Sequence, residues 1–312
     1  MPLVPNHIKN LSPYVAGKPI DQVKRELGLS NIIKLASNEN PLGPSQYALD
    51  ALKNINDLHR YPDSSSYQLR KKLALKFNLK IDNVILGSGS EGIMSSIMRT
   101  FLSDNDEIIA AQNSFIGFRV LANASGIKTH WIPMKQYSYD LMAMAKAIND
   151  KTKLIYLANP DNPTGTYFNK NQFDKFMETV NKNILVILDE AYFEYVSHQD
   201  DYPDSMIYRY DNIITLRTFS KVYGLAGLRI GYGFAHHDLI SNLMKVKLPF
   251  EPSSSAQIAA LAALDDSLHI KRSLKINTIN MKKMCDYFFK NKIVYIPSKT
   301  NFVTVVFNNE DD

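Results

Sequence analysis

Short apolar runs alternate with amphipathic stretches along most of the chain. Runs of aliphatic and β-branched residues predict buried strands, whereas apolar positions three or four residues apart predict helices. The strands are predicted at 84–86, 107–110, 128–133, 153–157, 184–188, 213–216 and 231–234, with helices at 93–101, 141–148 and 172–180. This alternation is typical of a three-layer α/β/α fold, in which helices cover both faces of a mainly parallel sheet.

The two ends of the chain break this alternation. Four prolines before residue 20 predict an extended arm, and a short helix over 21–27 should end at Gly28. A short strand is also expected at 32–35, and Arg60 should end a helix. After a proline-containing break, the pattern predicts helices at 256–264 and 269–290 and strands at 293–296 and 302–307. We divide the chain into an N-terminal arm with the start of a small domain (1–45), a large domain (46–250) and an incomplete C-terminal α+β domain (251–312).

Composition favours a soluble protein that binds anionic small molecules. Of the 312 residues, 45% are hydrophobic and 21% charged, and the net charge of +5 is spread along the chain. Scattered Lys and Arg argue against nucleic acid as a partner. The one cysteine, Cys285, lies in a predicted packed helix and has no internal disulfide partner, which favours the reducing cytoplasm. No apolar run approaches the roughly 20 residues of a membrane span, and we expect no membrane partner.

Candidate chemistry follows the predicted strands. Asn162, Asp189 and Lys221 each come just after one, and ligands of such sheets bind beyond the carboxyl ends of the strands. Around Lys221, the hydroxyls of Thr218 and Ser220, several glycines and Arg229 suit a phosphate group. A lysine among apolar neighbours can have a lowered pKa and act as an amine nucleophile.

A glycine-rich turn at 87–92 supplies a second anion cradle. The sequence GSGSEG follows a strand and precedes a helix, so it fits the dinucleotide fingerprint. The same free N–H groups at a helix N-terminus would hold any phosphate, and a nicotinamide enzyme is therefore one alternative. Adjacent His236 and His237 have no nearby third ligand in the sequence, so we expect a solvated turn and no metal.

Three motifs carry a resemblance to a known family. The segments 159–165 (NPDNPTG), 189–192 (DEAY) and 218–229 (TFSKVYGLAGLR) resemble those of the fold-type I, pyridoxal-phosphate-dependent aminotransferases. The segments 11–14 (LSPY), 35–41 (LASNENP) and 60–62 (RYP) are most similar to the histidinol-phosphate aminotransferase branch of that family. The resemblance extends over almost the full sequence.

The resemblance implies a role for each site residue. Lys221 would bond to the cofactor aldehyde and move a proton between the substrate Cα and the cofactor C4′, Asp189 would pair with the pyridinium nitrogen, and Tyr192 and Asn162 would contact the ring oxygen O3′. Phe115 would stack on the ring, and Tyr14, Asn38 and Asn162 would face the substrate. The phosphate would be held by Ser90, Glu91, Thr218, Ser220 and Arg229, with Tyr61 from the neighbouring subunit of a homodimer.

The implied reaction moves an amino group between L-histidinol phosphate and 2-oxoglutarate in histidine biosynthesis. An aromatic aminotransferase or a threonine-phosphate decarboxylase would share every cofactor residue, and these alternatives stay open. So does a cofactor-binding protein with impaired activity. Relatives continue past the position of Asp312 with an arginine that binds the substrate carboxylate, so the sequence is either truncated or without that anchor.

Overall fold

The computed structural model describes residues 3–15, 17–208 and 210–307. The first two and last five residues of the predicted outer domains, with residues 16 and 209, lie outside the described part. The strands of the main sheet are β1 (Val84–Gly87), β2 (Glu107–Ala111), β3 (Lys128–Ile132), β4 (Thr152–Ala158), β5 (Leu185–Asp189), β6 (Ile213–Thr218) and β7 (Gly231–Phe234). They lie in the order β1-β7-β6-β5-β4-β2-β3.

The sheet is mainly parallel, as the pattern predicts. Only β7 runs antiparallel to both of its neighbours, β1 and β6. Strands β2 and β5 are buried along their full length, which is why they read as continuous apolar runs rather than as alternating ones. The parallel strands β2, β4, β5 and β6 therefore direct their carboxyl ends to one common edge.

Helices cover the sheet and close two apolar cores. They are α1 (Asn6–Lys9), α2 (Ile20–Leu27), α3 (Gln46–Lys53), α4 (Tyr67–Lys76), α5 (Gly89–Phe101), α6 (Ile116–Ser125), α7 (Leu141–Lys146), α8 (Lys170–Met177), α9 (Phe193–Val196), α10 (Ser205–Tyr208), α11 (His237–Val246), α12 (Ser254–Ala263) and α13 (Ser267–Lys290). The larger core packs α5 to α8 and α11 on the sheet. The smaller one packs α3, α4 and α12 against β1 and β7.

Local sequence explains where several helices begin and end. Asn169 and Gln172 form a reciprocal capping box at the start of α8, and Ser253 accepts the Ala256 N–H at the start of α12. Helix α2 ends at Gly28, as predicted, and Gly28 adopts the left-handed conformation. Among the described residues, no helix is both long and apolar enough to cross a membrane.

Three local predictions are wrong. Residues 32–35 form no strand: no partner strand flanks them, and Ile33 is 85% exposed. Helix α3 ends at Lys53, so Arg60 lies in a turn instead of ending a helix. The helix around Cys285 exists but is only partly packed, since Phe289 is 82% exposed and Tyr287 60%, whereas the Phe288 ring contacts Tyr295.

The C-terminal portion is a small α+β unit. Helix α13 leads to a hairpin-like pair of short antiparallel strands, β8 (Tyr295–Ile296) and β9 (Thr304–Val305). Between the strands, Asn301 Nδ2 donates to the Asn38 carbonyl oxygen at 2.9 Å. The C-terminal unit therefore contacts the loop that precedes α3, next to the carboxyl edge of the main sheet.

Candidate active site

A cavity of about 440 Å³ opens at the carboxyl edge of the main sheet. Every predicted site residue except Tyr61 lines it: Tyr14, Asn38, Ser90, Glu91, Phe115, Asn162, Asp189, Tyr192, Thr218, Ser220, Lys221 and Arg229. The strand register explains this convergence. Asp189 ends β5 beside Ala158 of β4 and Leu216 of β6, so the loops after all three strands meet around one carboxylate.

Lys221 lies in the turn after β6 with its amine directed into the cavity. Its Nζ donates to the Ser37 carbonyl oxygen at 3.0 Å and lies 5.5 Å from the centre of the Tyr192 ring. Burial lowers the pKa of Lys221 to about 8, although the charge of Glu39 opposes the shift. With this pKa about a tenth of the amine is unprotonated at pH 7, and this unprotonated form can act as a nucleophile.

Asp189 is a buried carboxylate at the end of β5. The Tyr156 hydroxyl donates to its Oδ2 at 2.9 Å, and the Ala191 N–H donates to its Oδ1 at 3.1 Å. Burial raises the pKa of Asp189 to about 6, and these two hydrogen bonds oppose the shift. Within the described part of the chain, no cationic side chain forms an ion pair with Asp189, so its charge suits a cationic group of a ligand in the cavity.

Tyr192 collects amide donors on one wall of the cavity. Its hydroxyl oxygen accepts from Asn38 Nδ2 at 3.1 Å and from Asn162 Nδ2 at 3.4 Å. Burial raises the pKa of Tyr192, so the phenol stays protonated and can donate its own hydrogen. The ring of Phe302 packs edge-on against Tyr192, with ring centres 5.3 Å apart, so the C-terminal unit supports this wall.

The opposite wall is a cradle for an anion. Helix α5 begins at Gly89 with no side-chain cap, so its first-turn N–H groups are available to a ligand. The Thr218 and Ser220 hydroxyls and the Arg229 guanidinium lie on the same cavity. A Cβ on Gly89 would come within 2.8 Å of Arg229 Nη2, and one on Gly231 within 2.4 Å of the Ser90 nitrogen. Glycine at both positions allows this close approach.

Glu91 modifies the predicted phosphate site. Its Oε2 lies 3.1 Å from Arg229 Nη2, so the carboxylate pairs with the arginine that would hold a phosphate. A carboxylate repels a phosphate, so the useful contribution of Glu91 to anion binding is its backbone N–H at the start of α5.

The nicotinamide alternative lacks its structural context. The dinucleotide fingerprint requires the strand before the glycine turn to pair in parallel within a βαβ unit. Here β1 lies at the edge of the sheet, pairs only with the antiparallel β7, and is separated by four strands from β2, which follows α5. The glycine turn is therefore an anion cradle on the Lys221 cavity rather than half of a dinucleotide fold.

Tyr61 lies away from this cavity within one chain. It is 80% exposed. Its ring stacks on Phe250, with centres 4.3 Å apart. Lys247 and Phe250 also contact the Tyr61 loop, because Lys247 Nζ donates to the Ser64 carbonyl oxygen and the Phe250 N–H donates to the Ser64 hydroxyl. Tyr61 is thus held on the surface, where it is accessible to a second chain.

Two residues in or beside the cavity, Ser37 and Asp161, were not predicted from the sequence. Ser37 supplies the carbonyl that meets Lys221, and its left-handed backbone (φ 71°) could not be read from a serine. Asp161 is fully buried and accepts the Ser114 hydroxyl at 2.7 Å, which joins the loop of Asn162 to the loop of Phe115. The sequence signal for Asp161 was its place between Pro160 and Asn162 in the 159–165 motif.

One further cluster of possible ligands lies outside the cavity. The expectation that His236 and His237 have no nearby third ligand is wrong, because among the described residues these two and Asp238 place ligand atoms within 4.8 Å of one another. They lie at the N-terminus of α11, whose dipole disfavours a cation, and the His236 ring accepts the Asp238 N–H. We assign no metal to them.

Comparison with known proteins identifies the family. The sequence profile described as "Aminotransferase class I and II" matches residues 30–312. The chain belongs to this family. Histidinol-phosphate aminotransferase 2 of Hydrogenovibrio crunogenus is 44% identical over 302 residues, which cover 96% of this chain and 81% of that protein. The histidinol-phosphate aminotransferase of Caldicellulosiruptor saccharolyticus is 44% identical over 305 residues, covering 96% and 84%.

Solved structures agree with the fold. The histidinol-phosphate aminotransferase of Sinorhizobium meliloti, in complex with pyridoxal-5′-phosphate, aligns with a TM-score of 0.90 at 26% identity, over 99% of this chain and 84% of that one. Aspartate aminotransferase of Thermus thermophilus with maleate aligns with a TM-score of 0.84 at 16% identity, over 97% and 85%. The predicted fold-type I architecture and the predicted membership of the histidinol-phosphate aminotransferase branch are therefore confirmed.

Proposed function

We propose that this protein is a pyridoxal-phosphate-dependent transaminase that moves an amino group between L-histidinol phosphate and 2-oxoglutarate. The products are imidazole acetol phosphate and L-glutamate, within histidine biosynthesis. One observation carries the proposal: an amine of lowered pKa, a buried carboxylate and an uncapped helix N-terminus face a single cavity. Kinship with histidinol-phosphate aminotransferases, at 44% identity, supports this choice of substrate.

The residues that line the cavity suit each chemical group of the cofactor. The α5 N-terminus, Thr218, Ser220 and Arg229 would hold its phosphate, and Asp189 would pair with its ring nitrogen. Phe115, at the N-cap of α6 on the cavity wall, would stack on the ring plane, and Tyr192 with Asn162 would contact the ring oxygen. When bound, the cofactor supplies an aldehyde carbon and a ring that accepts electrons from the substrate.

Lys221 acts as nucleophile and as general acid and base. Its neutral amine is available near pH 8 and faces the cavity beside Tyr192. Nζ would bond the cofactor in the resting enzyme and, once released by the incoming substrate amine, would take the proton from the substrate carbon that bears the amino group. Asp189 would carry its negative charge beside the ring nitrogen and so would favour the protonated ring.

The arm and the asparagine loop form the substrate side. Tyr14 lines the cavity but is 62% exposed, so it can close over a substrate that enters from this side. Asn38 lies between Tyr192 and the C-terminal unit, because its Nδ2 donates to Tyr192 and its carbonyl accepts from Asn301. The place of both residues on the cavity wall supports the proposal that Tyr14 and Asn38 lie next to the reacting amino group.

We propose that the active unit is a cytoplasmic homodimer in which Tyr61 completes the phosphate site of the neighbouring subunit. The supporting observation is the exposed Tyr61–Phe250 stack, which presents a phenol away from its own cavity. Its neighbours Leu58 and Leu248 are also exposed, at 74% and 49%. A second copy of this chain would cover this apolar surface.

The three-part division of the chain at residues 45 and 250 stays a proposal.

The test is turnover with defined substrates. The purified 312-residue protein, supplied with pyridoxal phosphate, should form glutamate from 2-oxoglutarate with L-histidinol phosphate as donor. We expect a higher kcat/KM for this donor than for phenylalanine, tyrosine or aspartate. Phosphothreonine should be transaminated slowly or not at all, and should release no carbon dioxide.

Lys221→Ala is the negative control. Lys245→Ala is the matched positive control, because Lys245 is an exposed lysine on α11. We expect a loss of about 10⁴-fold or more in kcat for the first, because both covalent and acid–base catalysis are removed, and unchanged turnover for the second. Full turnover by Lys221→Ala, or a preference for an aromatic donor, would contradict the proposal.

A further inference from the structure

Tyr156 has its hydroxyl buried against Asp189. It lies in β4 opposite Ile187 of β5, and Asp189 is two residues further along β5. Side chains two residues apart in a strand share one face of the sheet, so Tyr156 and Asp189 are diagonal neighbours. The hydroxyl donates to Asp189 Oδ2 at 2.9 Å, while the Ala191 N–H donates to the other carboxylate oxygen.

The ring of Tyr156 is fixed by its packing. It is fully buried and stacks on Phe118, with ring centres 3.9 Å apart and planes within 8° of parallel. Phe118 belongs to α6, whose N-cap is the cavity residue Phe115. Because ring and helix are packed together, the hydroxyl cannot swing to another partner. Asp189 is its one hydrogen-bond partner among the described residues.

The hydrogen bond has a fixed direction. Burial raises the pKa of Tyr156 well above its ordinary value, so the phenol remains a donor at every accessible pH. Burial and the charges of Glu91 and Glu190 disfavour the ionised form of Asp189, whereas the charge of Lys221 favours it. The hydrogen bond from Tyr156 lowers the pKa of Asp189, because a hydrogen bond to a charged acceptor is stronger than one to a neutral acceptor.

We propose that Tyr156 is a positioning residue of this site: its hydroxyl keeps the Asp189 carboxylate ionised and correctly oriented toward the ring nitrogen of the cofactor. The inference rests on the proposed function, since it assigns Asp189 to that nitrogen. Tyr156 itself acts through Asp189, from the layer beneath the cavity.

The experiment compares Tyr156→Phe with Tyr202→Phe. Tyr202 is a matched control: it is also buried, and its hydroxyl donates to the backbone oxygen of Asn159 rather than to a carboxylate. The dissociation constant of pyridoxal phosphate is measured for each protein from pH 5.5 to pH 9. In parallel, the Asp189 carboxyl carbon is titrated by ¹³C NMR in the cofactor-free proteins and assigned with Asp189→Asn.

The proposal predicts a weakening that depends on pH. At pH 6, Tyr156→Phe should bind pyridoxal phosphate about 10- to 100-fold more weakly than wild type, as expected for the loss of one hydrogen bond to a charged group. The difference should shrink toward pH 9, where Asp189 is ionised in both proteins, and the carboxyl titration should shift upward. Tyr202→Phe should match wild type in both measurements.

The measurements distinguish failure of the role of Tyr156 from failure of the proposed function. An unchanged dissociation constant and an unchanged carboxyl titration in Tyr156→Phe would overturn the role of Tyr156 and leave the proposed function intact. Absence of pyridoxal phosphate binding by wild type would instead refute the proposed function. If Tyr156→Phe fails to fold, Phe118→Leu provides the second test, because it keeps the hydroxyl but frees the ring. A severalfold weakening at pH 6 supports the proposal, and wild-type affinity contradicts it.

Discussion

At the residue scale, burial shifts the two central ionisable groups in opposite directions. Burial lowers the pKa of Lys221 to about 8 and raises that of Asp189 to about 6, because in each case it disfavours the charged form. The sequence predicts which residues these are, since both follow strands within recognisable motifs. It does not predict the shifts, which depend on residues as distant in the chain as Glu39 for Lys221 and Tyr156 for Asp189.

Lys221 should therefore react as an amine of lowered pKa. In cofactor-free protein, its rate of acylation, followed by peptide mass, should rise with pH and be half-maximal near pH 8, because only the neutral amine reacts. The variant Lys221→Ala lacks this amine and serves as the control, since its peptide should gain no acyl group at position 221. A midpoint for Lys221 near the ordinary lysine value of 10.5 would contradict the burial described above.

Two other residues show the limit of reading single positions. Tyr156 occupies a strand position that any core aromatic could fill, and Asp161 looks like an ordinary turn residue. Only the fold reveals that one contacts Asp189 and the other joins the loops of Phe115 and Asn162. Their roles arise from cross-strand and loop contacts, which have no local sequence signal.

At the element scale, the ends of β5 and β6 are joined by a buried ion pair. Arg217 is 1% exposed, and its Nε and Nη2 donate to Glu190 Oε2 at 2.8 and 2.7 Å. Nη2 also contacts Asp204, and the guanidinium lies 3.3 Å from the centre of the Phe193 ring. Glu190 and Arg217 directly adjoin Asp189 and Thr218, so the pair fixes two site residues relative to each other.

Removing Arg217 alone should be costly. Arg217→Met leaves Glu190 buried without its cation and should lower the free energy of unfolding by about 3–5 kcal/mol. The double variant Glu190→Gln with Arg217→Met should recover part of this loss, because no unpaired charge remains. Urea unfolding of the cofactor-free proteins measures both. Equal stability of Arg217→Met and wild type would show that the pair contributes nothing to joining these strands.

Elements were easier to predict than their arrangement. Apolar runs located the strands of the main sheet to within two residues, because continuous burial leaves a clear pattern. The order of the strands was not predictable, since the pairing of β2 with both β3 and β4, and the antiparallel β7, depend on crossovers. The wrong strand at 32–35 had the right composition but no neighbour to pair with.

At the scale of the molecule, one predicted site residue lies outside the cavity of its own chain. All other predicted residues line one cavity, but Tyr61 stacks on Phe250 at the surface. Tyr14 belongs to the exposed arm, where Val15 is 85% and Leu11 is 37% exposed. A sequence motif can mark Tyr61 as functional, but it cannot say which chain the residue serves.

Mixed dimers test this arrangement. Tyr61→Phe and Lys221→Ala should each have low activity as pure proteins. If Tyr61 serves the neighbouring cavity, chains of the two variants that are unfolded together and refolded should recover about a quarter of wild-type activity, since half of the dimers then contain one intact site. Wild type mixed with Lys221→Ala is the refolding control. Recovery no greater than the sum of the separate variants would place Tyr61 outside the neighbouring site.

The central claim is that the Lys221 amine holds pyridoxal phosphate against Asp189. Its most direct test is borohydride reduction of the cofactor-loaded protein, followed by proteolysis and mass spectrometry of the peptides. We expect one phosphopyridoxyl adduct per chain, on Lys221, and none on Lys221 when the substrate amine is added before reduction. Stoichiometric modification of another lysine, with Lys221 unmodified, would contradict it.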